Sequence, residues 1–257
     1  MHVVANPIVR HGVQLYFLDK APLTVALQYL MALAAVLFII WPKSQYLRVG
    51  SPPLTFSILA IVATLIVAYL SFTFGTDRVS DDATPFSRSW LLGLNIGLRT
   101  AIGGFTLLTL IHTLFLVALA FPLLVAAAHV SGMSAQSFGR ALLLMVTCSL
   151  AYRWMGLLTL CVWERQEFAR YVVARASFVV LVLASAFFFP PLNPLLGFIS
   201  MSFGDELGQV ITLLGHQVPY ATVSLIIHLL LLLAAYIMVL YLLKRWFRGA
   251  TTRSVVA

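Results

Sequence analysis

Six long apolar stretches constrain this sequence more than any other feature. A helix needs about 20 predominantly apolar residues to cross the hydrocarbon core of a bilayer. The predicted spans cover residues 23–41, 54–74, 101–128, 141–163, 171–189 and 222–243. Hydrophobic residues make up 61% of the chain and charged residues only 9%, which is too little charge to cover a water-soluble globule. The sequence therefore predicts an all-α integral membrane protein with six transmembrane helices.

The positions of the basic residues predict the orientation of these spans. When the N-terminus is placed inside, most Lys and Arg fall in the inner segments, and the outer segments hold only Lys43, Arg48 and Arg140. Cytoplasmic loops of membrane proteins are enriched in Lys and Arg, so both termini are expected in the cytoplasm. The net charge of +8 has the same explanation, and no nucleic-acid partner is expected.

Residues 1–22 are predicted to form a cytoplasmic N-terminal segment with an interfacial helix over residues 8–20. Its apolar side chains fall on one helical face; they are Val9, Val13, Tyr16 and Phe17. The transmembrane domain is expected to cover residues 23–248, and residues 249–257 to form a cytoplasmic tail.

The segment between the fifth and sixth spans is predicted to be a re-entrant hairpin at the outer side. It contains Pro190, Pro191 and Pro194, followed by two short apolar stretches that Asp205 and Glu206 separate. Apolar stretches of about 10–14 residues are typical of re-entrant or interfacial pieces rather than of spans. A plain extracellular loop is the alternative.

Residues 83–99 are predicted to form an amphipathic helix before the third span. Thr84 is the expected N-cap, and Pro85 suits the first helical position. The apolar side chains recur every fourth residue; they are Phe86, Trp90, Leu94 and Leu98. A passive amphipathic lead-in to the third span is the alternative.

Three stretches of the chain, in this order, resemble the ABC type-2 transporter permease family, the six-helix membrane subunits of many bacterial exporters. Residues 84–93 (TPFSRSWLLG) are similar to the family's cytoplasmic segment after the second span. Residues 119–134 (LAFPLLVAAAHVSGMS) resemble the outer end of its third span, and residues 150–165 (LAYRWMGLLTLCVWER) resemble its fourth span, with Gly156 as the mid-helix glycine.

The resemblance implies a permease subunit in the bacterial plasma membrane, contacting membrane lipid and forming a dimer with a second copy or a paralogue. The chain would bind no cofactor or metal itself and would have no catalytic residues; ATP and Mg²⁺ would be bound by a separate ABC ATPase subunit. The cytoplasmic segment would contain the coupling helix that docks on that ATPase. The residues assigned to this coupling role are Thr84, Pro85, Phe86, Ser87, Arg88, Trp90, Leu91 and Leu94.

Arg153 is the most unusual residue inside a predicted span. A charge at the centre of a bilayer costs about 2.5–3.5 kcal/mol even on insertion scales, so Arg153 is expected to face protein or a water-filled cavity. We assign it to the substrate pathway, as the partner of an anionic head group in a cavity between subunits; structural pairing is the alternative. His112, in the third span, and Gly156 are assigned to the same pathway.

Two other classes of protein compete with a permease. An integral-membrane enzyme acting on lipid or polyprenyl substrates could use Asp77, Asp81 and Asp82 to hold Mg²⁺, but zinc-protease and serine-hydrolase motifs are absent from the sequence. A non-transporting membrane assembly protein fits the composition equally well and lacks only the family resemblance.

Overall fold

The computed structural model describes residues 6–42, 54–74, 86–164, 166–203, 210–213 and 216–251, and within them the chain is almost entirely helical. Short turns of other helix types also occur: π-helical turns at Gln14–Leu18 and Val180–Ala184, and a 3₁₀ turn at Pro190–Leu192. The elements in chain order are α1 (Pro7–Val13), α2 (Lys20–Ile40), α3 (Thr55–Phe72), α4 (Arg88–Gly93), α5 (Leu98–Val130), α6 (Ala135–Val162), α7 (Glu167–Val179), α8 (Ser185–Phe188), α9 (Pro194–Phe203), β1 (Val210–Leu213), β2 (His216–Pro219) and α10 (Tyr220–Thr251).

Six helices of the described chain are long and apolar enough to cross a membrane. They are α2, α3, α5, α6, the continuous helical segment Phe168–Phe188 and the segment Tyr220–Arg248 of α10. Each coincides with one predicted span, so the prediction of a six-helix, multi-pass membrane protein is confirmed in this coarse form. Several ends differ from the prediction; α6, for example, begins at Ala135 rather than at Ala141.

Helix α6 is the most buried of the six and forms the centre of the bundle, where it packs against α3, α5 and α10. Helix α2 and the Phe168–Phe188 segment are the least buried. Phe38 of α2 is 84% exposed, although its side chain is fully apolar. In a protein whose solvent is lipid, such side chains on the outside of the bundle satisfy the hydrophobic effect instead of opposing it.

Helix α1 packs on the first turns of α5. The side-chain oxygen of Asn6 caps α1 by accepting from the Ile8 N–H, and its Nδ2 donates to the Thr100 carbonyl at 2.8 Å. Most of residues 8–20 are helical, as α1 and the π-helical turn Gln14–Leu18, but of the four residues predicted on its apolar face only Val9 is buried against the chain. The buried residues are Ile8, Val9, Gly12 and Leu15, because the chain docks on α5 and winds through a π-helical turn after Val13.

The helix predicted over residues 83–99 is much shorter than expected. Helix α4 covers only Arg88–Gly93 and is capped by Ser87, whose hydroxyl accepts from the Trp90 N–H at 3.3 Å. Asn95 has φ of +50°, a left-handed conformation that ends helices and that Asn tolerates better than most residues. The prediction of one continuous helix over residues 83–99 is therefore wrong. The expected cap, Thr84, lies outside the described residues together with Pro85.

The segment between α8 and α10 holds the 3₁₀ turn Pro190–Leu192, one short α-helix and a small sheet. Helix α9 packs back against α3, α6 and α10, and Phe198 in its middle is buried. Strands β1 and β2 pair antiparallel, with Ile211 opposite Val218. The prediction contained no sheet, so the class is all-α with one added two-stranded hairpin; Asp205 and Glu206 lie outside the described residues.

Candidate functional site

Arg153 is completely buried in the interior of the bundle. It lies on α6, and its exposed fraction is 0%. Protein surrounds it, which is one of the two surroundings that the sequence predicts. Within the single chain, neighbouring helices cover the side chain; a cavity between two subunits stays a prediction.

The guanidinium of Arg153 joins α6 to α5 through His112. Its Nη1 hydrogen-bonds to Nδ1 of His112. A guanidinium can only donate, so Nδ1 of His112 is the acceptor and the imidazole carries its proton on Nε2. The structure thus pairs two residues that the sequence assigned separately to the substrate pathway.

A chain of buried hydroxyl groups extends this cluster to α3. The Ser71 hydroxyl donates to the Val67 carbonyl at 2.6 Å, so its oxygen is free to accept from Ser149 at 3.0 Å. Ser149 in turn accepts from Thr113 at 3.2 Å and from Nε of Arg153 at 3.4 Å. Every proton and lone pair of the Ser149 hydroxyl is therefore used, and three helices meet at one oxygen.

Aromatic rings enclose the Arg153–His112 pair on the remaining sides. The guanidinium carbon of Arg153 lies 5.2 Å from the ring centre of Phe74, a cation–π distance. The ring of Tyr16 stacks on Phe74 at 4.7 Å and on His112 at 5.0 Å, and Phe17 contacts His112 edge-on. The N-terminal segment before α2 thereby forms one wall of the buried cluster.

A cavity of about 290 Å³ lies beside His112, between the N-terminal segment, the start of α2, the end of α3 and the middle of α5. Most of its wall is apolar, and His112, Tyr16 and Thr73 are the residues in it with polar side chains. Arg153 does not line this cavity. His112 separates the charged side chain from the cavity and belongs to both.

A second buried polar cluster joins α6 to α10. Nδ1 of His228 bonds to the Ser224 carbonyl at 2.7 Å; a carbonyl only accepts, so His228 carries its proton on Nδ1. Its Nε2 then accepts from the Tyr152 hydroxyl at 2.6 Å. Tyr152 is the neighbour of Arg153 in sequence, and the two side chains leave α6 in different directions.

Helix α4 is attached to one end of the bundle, where α3 and α6 finish and α5 begins. The backbone N–H of Arg88 donates to Oε1 of Glu164 at 2.8 Å, which joins the start of α4 to the chain just beyond α6. Phe86 and Leu91 are buried, and Trp90 packs on His11 of α1 at 5.1 Å. The apolar face of α4 therefore contacts its own chain, and Ser89 and Gly93 lie on the exposed side.

Gly156 is a packing residue in this structure. A Cβ built on it would lie 2.8 Å from the carbonyl oxygen of Phe72 and 3.0 Å from that of Phe74. Backbone carbonyls cannot move away as a flexible side chain can, so only glycine lets α6 approach the end of α3 so closely. Gly156 is not among the residues that line the cavity beside His112.

The structure also shows which predicted residues come together and which do not. Arg153 and His112 form one cluster, whereas the α4 residues lie at the end of the bundle.

Among the described residues, no group of three His, Cys, Asp or Glu could hold a metal ion. Comparison with models of known families and with curated proteins finds no match for this chain.

Proposed function

We propose that this chain is the membrane-spanning permease subunit of an ATP-driven ABC transporter, an exporter of a hydrophobic or amphipathic substrate. In this proposal a separate subunit binds and hydrolyses ATP, and the permease works as a dimer in the bacterial plasma membrane with both termini in the cytoplasm. The observation that carries the proposal is the attachment of α4, a short helix between two spans, to the segment just beyond the central helix α6.

The contacts of α4 support a role in transmitting force. Its first residue is hydrogen-bonded to Glu164, and Phe86 and Leu91 on either side of that residue are buried. A displacement of α4 would therefore be passed to the end of α6 rather than be absorbed by a loop. Helix α6 carries Arg153 and Tyr152 further along its length, so the same displacement would reach both buried polar clusters.

The exposed side of α4 is the surface that would contact the ATPase. Ser89 and Gly93 are exposed, and a Cβ on Gly93 would meet no other atom within 4 Å. By contrast, the residues of the apolar face are used within the chain. In the proposed complex, Arg88 adds positive charge beside this surface and could meet an acidic group of the partner.

Two finer features belong to the same proposal. Helix α1 would lie in the cytoplasmic interface of the membrane, since it packs along the first turns of α5. Helix α9 would re-enter the membrane from the outer side, which is supported by its buried Phe198 and by its packing against three spans. Closely packed protein around such a segment is what satisfies its backbone at membrane depth.

Arg153 would act on the substrate by attracting an anionic group as the helices move apart during transport. Arg153→Ala is expected to impair transport of an anionic substrate and to leave membrane insertion intact. Arg153→Lys should restore part of that transport, because it keeps the charge but loses the planar fork.

The proposal is tested by purifying the tagged chain from the membranes of its source after mild crosslinking. Recovery of an ATPase subunit with a phosphate-binding loop is expected. The Gly93→Trp variant should reduce that recovery, because it adds bulk to the exposed side of α4 without a clash inside the chain. Gly139→Trp is the matched control: Gly139 is also exposed and unhindered, but it lies at the opposite end of α6. Equal recovery with both variants would contradict docking through α4.

A further inference from the structure

The buried positive charge of Arg153 has no acidic partner among the residues that the structure describes. None of the six candidate spans contains an Asp or Glu among its residues. Within the described chain, Nη2 of Arg153 also has no hydrogen-bond partner. A buried cation without a counter-charge is costly, so the electrostatics of this cluster favour the approach of an anion.

His112 extends the field of that charge to the wall of the cavity. Its Nδ1 accepts from Arg153, which leaves the Nε2–H as the donor that His112 can offer to a ligand. A hydrogen bond from a cation to one side of the imidazole polarises the ring and strengthens the N–H on the other side. Tyr16 and Phe17 hold the ring between them, so the donor has a fixed orientation.

The cavity has the shape and lining of a site for an apolar chain. Leu15, Pro22, Leu70, Phe115 and Leu116 make up much of its wall. Ala21 and Val25, on the α2 side, are exposed, which gives an apolar ligand a way in from the lipid. At about 290 Å³, the cavity lies near the lower end of the range of about 300–1,000 Å³ for small-molecule pockets.

We propose that the cavity beside His112 binds the carboxylate end of a single-chain anionic amphiphile, a fatty acid in chemical class. One carboxylate oxygen accepts the Nε2–H of His112, and the hydrocarbon chain lies between α2 and α5. One guanidinium supplies one positive charge, which matches a monovalent carboxylate better than a phosphate monoester with its charge of about −1.5 to −2. Binding of this ligand needs the chain alone, so it can succeed or fail independently of any ATPase.

The test uses the purified full chain in nanodiscs of phosphatidylcholine and a dodecanoate probe that carries a photoreactive diazirine on its chain. After illumination, mass spectrometry should place the label in peptides that contain residues 15–26 and 112–116. Unlabelled dodecanoate should compete at a concentration about tenfold lower than dodecanol, because only the carboxylate makes a charge-assisted hydrogen bond. Competition by both at the same concentration would overturn the proposal.

Two substitutions on α2 separate the cavity from the lipid-facing surface. Ala26 lines the cavity, whereas Ala35 lies on the exposed side of the same helix. Ala26→Phe should fill the cavity and reduce labelling about tenfold, and Ala35→Phe should leave it unchanged. Unchanged labelling in Ala26→Phe would contradict binding in this cavity.

A third variant and a second competitor test the role of the head group. His112→Phe keeps an aromatic ring for Tyr16 to stack on but removes the N–H, so dodecanoate should lose its advantage over dodecanol. Stronger competition by dodecyl phosphate than by dodecanoate in the unchanged chain would contradict the carboxylate assignment.

Discussion

Glu164 accepts a hydrogen bond from the backbone N–H of Arg88 at 2.8 Å. This single contact joins the segment that follows α6 to the first residue of α4, which lies 76 positions earlier in the sequence. It is a bond to an N-terminal helix N–H, one of the groups that a helix cannot satisfy by itself. Glu164 therefore does for the start of α4 what a capping residue does locally, and it does so from the segment that follows α6.

Removing this acceptor should loosen α4. In Glu164→Ala a spin label at Gly93→Cys should become more mobile, because a hydrogen bond that holds α4 is lost. Glu164 is partly exposed, so the loss in stability should be only about 1 kcal/mol. Glu164→Gln is the control, since its side-chain oxygen can still accept from Arg88. Electron paramagnetic resonance spectra that are the same for Ala and Gln would show that the contact does not hold α4.

Substitution of Gly156 should be far more damaging than substitution of another helical glycine. In Gly156→Ala the added methyl group meets the carbonyls of Phe72 and Phe74, so we expect a loss of roughly 1–3 kcal/mol in stability, as for other overpacked sites. Gly103→Ala is the control: a Cβ there meets nothing within 4 Å, and it should raise stability by about 0.4–1 kcal/mol. Thermal unfolding of both variants in the same detergent measures the difference, and equal midpoints would contradict the close approach of α3 and α6.

The hydroxyl group of Tyr152 should contribute to stability in addition to its ring. Tyr152→Phe keeps the ring that stacks on Phe72 at 4.8 Å but leaves Nε2 of buried His228 without its donor. The expected cost is about 1–3 kcal/mol, the penalty for an unsatisfied buried group. Tyr241→Phe, at a position that is 67% exposed, should unfold at the same temperature as the unchanged chain. A midpoint for Tyr152→Phe that equals this control would refute the hydrogen bond.

The protonation site of His112 provides a direct test of its pairing with Arg153. In the unchanged chain, ¹⁵N-histidine NMR spectra should show the proton on Nε2, because Arg153 donates to Nδ1. Arg153→Ala removes that donor and should shift the signals toward a mixture of tautomers. Arg140→Ala removes an exposed arginine near the start of the same helix and should leave the spectrum as it was. A persistent Nε2–H form in Arg153→Ala would show that another group sets the tautomer.

The six spans could be predicted from the sequence because each is a continuous apolar run, and length alone decides whether a run crosses a bilayer. Helix ends were predicted less well, since Lys20 and Ala135 continue helices beyond the apolar run that defines the span. The ends of α4 could not be read from the repeat of Phe86, Trp90 and Leu94. That repeat describes which side chains are apolar, whereas Ser87 and Asn95 decide where the helix begins and ends.

The hydrogen-bond partners of buried polar residues could not be predicted from the sequence. Arg153 is conspicuous in the sequence, because it is a charge in an apolar run. Its bond to His112 depends on how α5 and α6 rotate against each other, which no spacing within one helix records. The Tyr152–His228 pair was missed for the same reason, although a histidine in an apolar span signals that a hydrogen-bond partner must be found.

Trp90 lies on the apolar face of α4, but that face packs against the same chain rather than being free for a partner. Its recurrence with other apolar residues predicts an amphipathic helix, and a charge at Trp90 would be an obvious test of docking to a partner. In the structure Trp90 contacts His11 and Phe86 of its own chain. Trp90→Asp would therefore disturb the attachment of α4 itself, which is why the exposed Gly93 is the better position to test.

Photo-crosslinking from position 93 tests the central proposal most directly. A photoreactive benzoyl-phenylalanine at Gly93, on the exposed side of α4, is introduced into the full chain in its native membrane, and the adducts are identified by mass spectrometry. The same residue at Gly139 serves as the control at the other end of α6. We expect an ABC ATPase subunit to be captured from position 93 and not from position 139. Adducts at position 93 that contain only lipid, or no ATPase, would contradict a permease that is driven through α4.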